Sequence, residues 1–425
     1  MQLQVKTLLK KVFFFIVSVS FATACFSQTA EDSLLELGNS FFRKQDFVKA
    51  ASTWEKAAAA EYRISKGADY SYAAIAFAYG KDSSNSFRCL EMAITKYGFN
   101  DIPNLIAQDS FAFMKKSQHW SKLIGSIKPT YSTDPLKSRV VDTDVRHFWQ
   151  AYDLVQKDTA KAVKIYKEQY ISKGTLALQD YFLNKISTVE NFVYIHQLYS
   201  KFYRSIRGNS LKAASFKQLY QNSFVNLKKI YPEAIFPDIF FVMGKFNSAG
   251  TVSSNGIIIG IDMRCYSPTV DTTELGIWNK RNLTNLAGLP YTVAHELVHF
   301  EQTGMASDTT LLKGAILEGM ADFIGELISG KTTNERLKVY AKGKEKQIWN
   351  DFKKEMFLNR AHNWIANSEQ ETADKPADLG YWVGYSICKA YYDRAKDKKK
   401  AIYDMLHIQD YKKFLKDSQL DEQWK

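Results

Sequence analysis

Two histidines four residues apart, His295 and His299, frame the stretch Thr292–Gln302. On an α-helix that spacing puts both imidazoles on one face, where they can share a single ion. Glu296, about 100° further round the helix, falls beside such an ion and can take a proton from water bound to it. A catalytic zinc site needs a third protein ligand and keeps one position for water. The next candidate is Glu318, in the apolar, helix-like stretch Gly314–Phe323, where Gly314 and Gly319 would let another helix come close. Asp322 lies one helical turn beyond Glu318. It can accept a hydrogen bond from the far nitrogen of a ligand histidine and so fix its tautomer. The fold must therefore bring the helix of the two histidines and the helix of Glu318 to one point.

These residues carry a family resemblance. HExxH, eighteen intervening residues and then Glu-Gly-x-Ala resembles the gluzincin metallopeptidases, which include thermolysin-like enzymes and zinc aminopeptidases. Leu317–Ala321 and the length of the gap are more similar to the aminopeptidase branch. More widely, residues 140–395 resemble zinc-dependent proteases of bacterial envelopes, through Asp144–Asp153, Tyr231–Ala234, Phe236–Ile239 and the HELVH helix. The resemblance implies one Zn²⁺ per chain, with His295, His299 and Glu318 as ligands, Glu296 as general base and Asp322 behind a histidine. It also implies a donor facing the oxyanion of the attacked carbonyl. Tyr381, followed by Gly384, is similar to the tyrosine of the aminopeptidase-type enzymes; Tyr385 ranks second and His362 third. Gluzincins lay an edge strand along the cleft to pair with a substrate backbone. The β-like run Ile257, Ile258, Ile259 and Gly260 is the candidate for that strand, with an ordinary sheet strand as the alternative. Gly260-Ile261-Asp262-Met263 only faintly resembles the amine-gripping segment of the aminopeptidases and lacks its glutamate, which favours endopeptidase over aminopeptidase.

The rest of the chain suggests an α+β, predominantly helical protein. Residues 1–27 read as a signal peptide, with Lys6, Lys10 and Lys11 ahead of the thirteen-residue apolar run Val12–Ala24, too short for a comfortable membrane span. Cleavage before Gln28 is favoured over the alternative, a lipoprotein signal ending at a lipidated Cys25. Either ending sends the body to the periplasm, the cell envelope or the medium. Residues 28–128 look like tetratricopeptide-type helical repeats, with Leu37, Gly38, Phe41, Ala50, Trp54 and Ala57 at the repeat's small-and-large positions, and Ser86, Leu90 and Ala93 in a degenerate second unit. Residues 129–139, with Pro129 and Pro135, read as a linker, and residues 140–425 as the zinc metallopeptidase-like domain with a small β-sheet. Aromatics recurring at helical spacing through residues 140–230 read as core, and His147 and His196 as packed or surface residues. The three body cysteines, Cys89, Cys265 and Cys388, match no disulfide or metal framework.

The net charge of +12 falls to +9 without the leader lysines and is spread along the chain. With no arginine-rich tract, it points to no nucleic-acid partner. The leading functional expectation is thus an exported zinc peptidase acting on peptide or protein substrates. The alternative is a non-catalytic binding or assembly protein of the envelope, docking a protein partner on its repeats and held by a lipid anchor at Cys25 if that residue is lipidated. A zinc hydrolase of a non-peptide bond is a third reading.

Overall fold

The computed structural model describes residues 30–424, so the leader and Cys25 lie outside the described residues. Two helical hairpins come first: α1 (Ala30–Arg43) with α2 (Phe47–Ala59), then α3 (Lys66–Tyr79) with α4 (Ser83–Glu91). Asp46 and Asp82 cap α2 and α4 by accepting from the backbone N–H groups of Lys49 and Asn85. Small residues let these helices interlock. Ala50 and Ala57 are fully buried, and Ser86 donates its hydroxyl to the Ala74 carbonyl at 2.9 Å. Gly38 lies flat against the Trp54 indole. Leu37 departs from the expected pattern, with nearly half of its surface exposed. The region closes with the short helices Ile102–Ala107 and Gln118–Gly125 and has its own core around Trp54, Phe77, Phe111 and Trp120.

The expected linker is not a free tether. It contains β1 (Tyr131–Ser132), and β2 (Val140–Val141) follows directly. Ser138 and Arg139 bond to Pro237 and Asp238 of the body. Helices then dominate, with α5 (Thr143–Lys157), α6 (Leu176–Tyr181) and α7 (Lys217–Ile230) among them. Phe148, Tyr166, Tyr170 and Phe192 pack ring against ring there, so the aromatic periodicity does mark core. His196 is buried in that cluster, bonded to the Gly244 carbonyl at 2.8 Å.

Next come β3 (Phe236–Pro237), β4 (Ile239–Val242), β5 (Thr251–Ser253) and β6 (Gly256–Gly260). β1 and β3 form an antiparallel pair, while the larger sheet has the order β2-β4-β6-β5. From β4 the chain runs out to the edge as β5, turns at Ser254–Asn255 and returns as β6 between β4 and β5. β6 is buried along its whole length, as an interior strand of this apolar composition should be.

Three helices then build the site: α8 (Leu289–Glu301), α9 (Leu311–Ser329) and α10 (Leu379–Arg394). α8 lies against β5 and β6 and packs on α9, which packs in turn on α10. Between α9 and α10 lie the short helices Glu335–Ala341 and Glu345–Lys353. The chain then loops to Asp378. The architecture is α+β and mainly helical, with two small sheets. Among the described residues no helix is long and apolar enough to cross a membrane.

Candidate metal centre

Pro290 sits in the first turn of α8, where its missing N–H costs nothing. Two turns on, His295 and His299 project together, their Nε2 atoms 3.0 Å apart. Glu318 reaches them from α9, its Oε2 3.2 Å from Nε2 of His299 and 3.6 Å from Nε2 of His295. The expected three ligands thus meet at one point.

Hydrogen bonds behind the imidazoles fix which nitrogens face that point. His295 Nδ1 is 2.9 Å from Asp322 Oδ1. An ionised carboxylate only accepts, so Nδ1 carries a proton and, in the neutral ring, Nε2 presents a lone pair. His299 Nδ1 donates to Gln302 Oε1 at 2.8 Å, leaving its Nε2 as an acceptor too. In their neutral forms, two imidazole lone pairs and a carboxylate oxygen therefore converge on one point. For ligands about 2.0–2.1 Å from a tetrahedral zinc ion, ligand atoms are about 3.3 Å apart; the observed triangle of 3.0, 3.2 and 3.6 Å brackets that spacing.

Without an ion, protons on the histidines balance the neighbouring carboxylates. Burial opposes a charge on His295, yet Asp322, Glu318 and Glu296 together hold its pKa well above the usual range. Burial would raise the Glu318 pKa, but the two histidines hold it well below normal. Glu296 is buried beside them, and that burial raises its pKa against the pull of the histidines. Arg264, also buried, donates to Thr292 Oγ1 of α8 at 2.8 Å. Burial lowers its pKa to about 10, and Glu296 and Asp262 oppose the shift. Glu296, Glu318 and Asp322 thus gather around the two histidines, and a divalent cation there would offset their charge. When bound, such an ion supplies a Lewis-acidic position beside a carboxylate able to accept a proton.

Asp322 behaves as expected of a residue behind the ligands. It also accepts from Asn334 Nδ2 at 2.8 Å and Thr333 Oγ1 at 3.4 Å, two partners the sequence did not point to. Tyr381 lies over the site, its ring stacked on His295 with centroids 6.2 Å apart. Tyr385 does not: its hydroxyl donates to Glu326 at 2.7 Å, and the Lys338 ammonium sits over its ring. His362 is exposed and does not join the ligand cluster.

The strand expectation also needs correction. Ile257, Ile258, Ile259 and Gly260 cannot take up another strand, because β6 is already paired with β4 on one side and β5 on the other. The edge strand is β5. Just ahead of it Gly250 presses on Glu296 so closely that a methyl group there would overlap the carboxylate. The polar stretch 264–287 is fastened at Arg281, which donates to Glu371 at 2.7 Å and to the Ala373 carbonyl at 2.8 Å.

Residues 128–421 match the family model described as Gliding motility protein GldB. No curated protein and no solved structure matches. The match takes in the sheet, the metal centre and α10, and it overturns the assignment to the gluzincin peptidases and the zinc-peptidase function drawn from it. The reason is physical. Histidines at helical spacing with a carboxylate on a neighbouring helix can hold a cation, and such a hold does not specify a reaction. The family description instead favours the non-catalytic envelope role.

Proposed function

The chain belongs to the family described as gliding motility protein GldB, and from that premise we propose that it is a binding and assembly protein of the cell envelope, serving gliding motility through protein contacts. The observation that carries this reading is the family match across residues 128–421, the part that contains the sheet and the metal centre. The N-terminal helical hairpins lie outside the match. Their tetratricopeptide-like packing of small against large residues suits a docking surface for a protein partner. A lipoprotein family also supports the second reading of the leader, with Cys25 as the lipidated residue. Fatty-acid labelling of the expressed protein that persists in Cys25→Ala would sink that anchor.

The metal centre has a place in the same reading. One zinc ion held by His295, His299 and Glu318 cross-links α8 to α9 and so stiffens the surface that the body offers. Removing a cross-link of this kind destabilises the folded state, because the ion binds the folded site alone. We expect the purified full chain to carry one zinc per molecule, and a chelator to lower its melting temperature. His299→Ala should abolish both the zinc and the chelator effect.

Complementation of a gliding-deficient deletion strain separates assembly from catalysis. The variant Glu296→Gln leaves the three ligands in place and removes the proton acceptor. The proposal expects it to restore spreading, while His299→Ala does not. A Glu296→Gln protein that is present at normal level with normal zinc content, yet fails to restore spreading, would overturn the non-catalytic reading.

A further inference from the structure

We propose that Gln302 is the positioning residue of the metal centre, a single amide that sets both His299 and the helix bearing Glu318. The inference rests on the zinc reading above. Gln302 stands just past the end of α8, three residues after His299. Its Oε1 accepts from His299 Nδ1 at 2.8 Å, and its Nε2 donates to the Leu317 carbonyl at 2.9 Å, also lying 3.5 Å from the Met320 sulfur. A carbonyl can only accept, so Nε2 must face Leu317 and Oε1 must face the imidazole. The amide is thereby locked in one orientation, and so is the His299 tautomer, with Nε2 free for the ion.

Leu317 immediately precedes Glu318. The hydrogen bond to its carbonyl therefore fixes the height of α9 at the point where the third ligand leaves it. The two donors that close the triangle from different helices, His299 and Glu318, are set against each other by one side chain. His295 is held differently, by the carboxylate of Asp322 backed by Asn334. A carboxylate partner makes an imidazole a stronger donor than a neutral amide does. The two histidines are therefore unequal ligands, and His299 relies on its placement.

The test uses the full chain, apo and reloaded, with zinc affinity measured by competition against a chromogenic chelator. Substituting cobalt gives a visible spectrum that reports coordination geometry. Gln302→Leu removes both hydrogen bonds and should weaken zinc binding by about 10–100-fold, with an altered cobalt spectrum and an apo melting temperature near that of the parent. Gln302→Glu keeps an acceptor for His299 but turns a second oxygen on the Leu317 carbonyl; its loss should be smaller and its cobalt spectrum closer to the parent. Parental affinity and an unchanged spectrum in Gln302→Leu would overturn the proposal. If Gln302→Leu does not fold, Gln302→Met, which also removes both hydrogen bonds, decides, and parental affinity and spectrum there are equally fatal. A parent chain that binds neither metal removes the zinc reading itself, an outcome distinct from a parent that binds and a variant that binds as well.

Discussion

Asp262 is buried, and its two oxygens are treated unequally. Oδ2 accepts from the Phe246 N–H at 2.7 Å and the Tyr203 hydroxyl at 3.1 Å, while Oδ1 has no partner. Burial, only partly offset by those bonds, raises its pKa to about 6 from an ordinary 3.8. The folded state therefore holds this proton when the unfolded chain has lost it, and stability falls as pH rises from about 4 through about 6. A shift of that size corresponds to about 3 kcal/mol. Asp262→Asn keeps an acceptor for both donors and carries no charge. We expect it to raise the melting temperature at pH 8 and to flatten the change between pH 4 and 6; equal melting curves for the two proteins at pH 8 would refute this. At this scale the sequence was readable wherever a periodicity fixed the partner. His295, Glu296, His299, Glu318 and Asp322 are related by helical spacing and meet as expected. Arg264, Thr333 and Asn334 reach the site from turns, where no period predicts direction. Gln302 had a signal, since three residues beyond His299 is the same helical face.

Between elements, the α9–α10 crossing is the tightest contact near the site. A methyl group on Gly319 would fall within van der Waals overlap of the backbone of Gly384 and Tyr385, and one on Gly384 would overlap the Ala315 carbonyl. Neither backbone can give way without moving a helix. Gly319→Ala should therefore cost about 3 kcal/mol or more, the upper range for overpacking, read as a lower denaturation midpoint with an unchanged slope. Because Gly319 follows Glu318, the same variant should also lower zinc occupancy. The sequence suggested a close helix at Gly319, and one is present. It could not show that the Ile257–Gly260 run would be enclosed, because strand order is a long-range property and a short apolar run fits an edge or a centre equally. Tyr385 illustrates the converse: one helical turn places it beside Tyr381, but the neighbours that draw its hydroxyl away, Glu326 and Lys338, come from other segments.

Across the whole molecule, the sequence pattern found the helical hairpins and a mainly helical body with a candidate metal centre, but it attached the wrong function to that centre. A ligand set is a local constellation, whereas the family match reads nearly three hundred residues at once. The two hydrophobic cores are joined by few but specific bonds. Asn100 donates to the Ser254 carbonyl at 3.3 Å and to Asn255 Oδ1 at 3.1 Å, and accepts from the Ser254 hydroxyl at 2.7 Å. Thr130 adds a further bond to the Ser254 carbonyl. Asn100→Ala should cost about 1–3 kcal/mol at this junction, and we expect it to speed proteolytic cutting within residues 128–135 under native conditions; unchanged cutting would show that the junction is held elsewhere. Ser254 and Asn255 form the turn between β5 and β6, and at the other end of β5 Gly250 rests on Glu296. The hairpin is thus pinned at its tip to the N-terminal region and pressed on Glu296 at its base. Tension on the N-terminal helices would reach the sheet at that tip and Glu296 across a strand of only three residues.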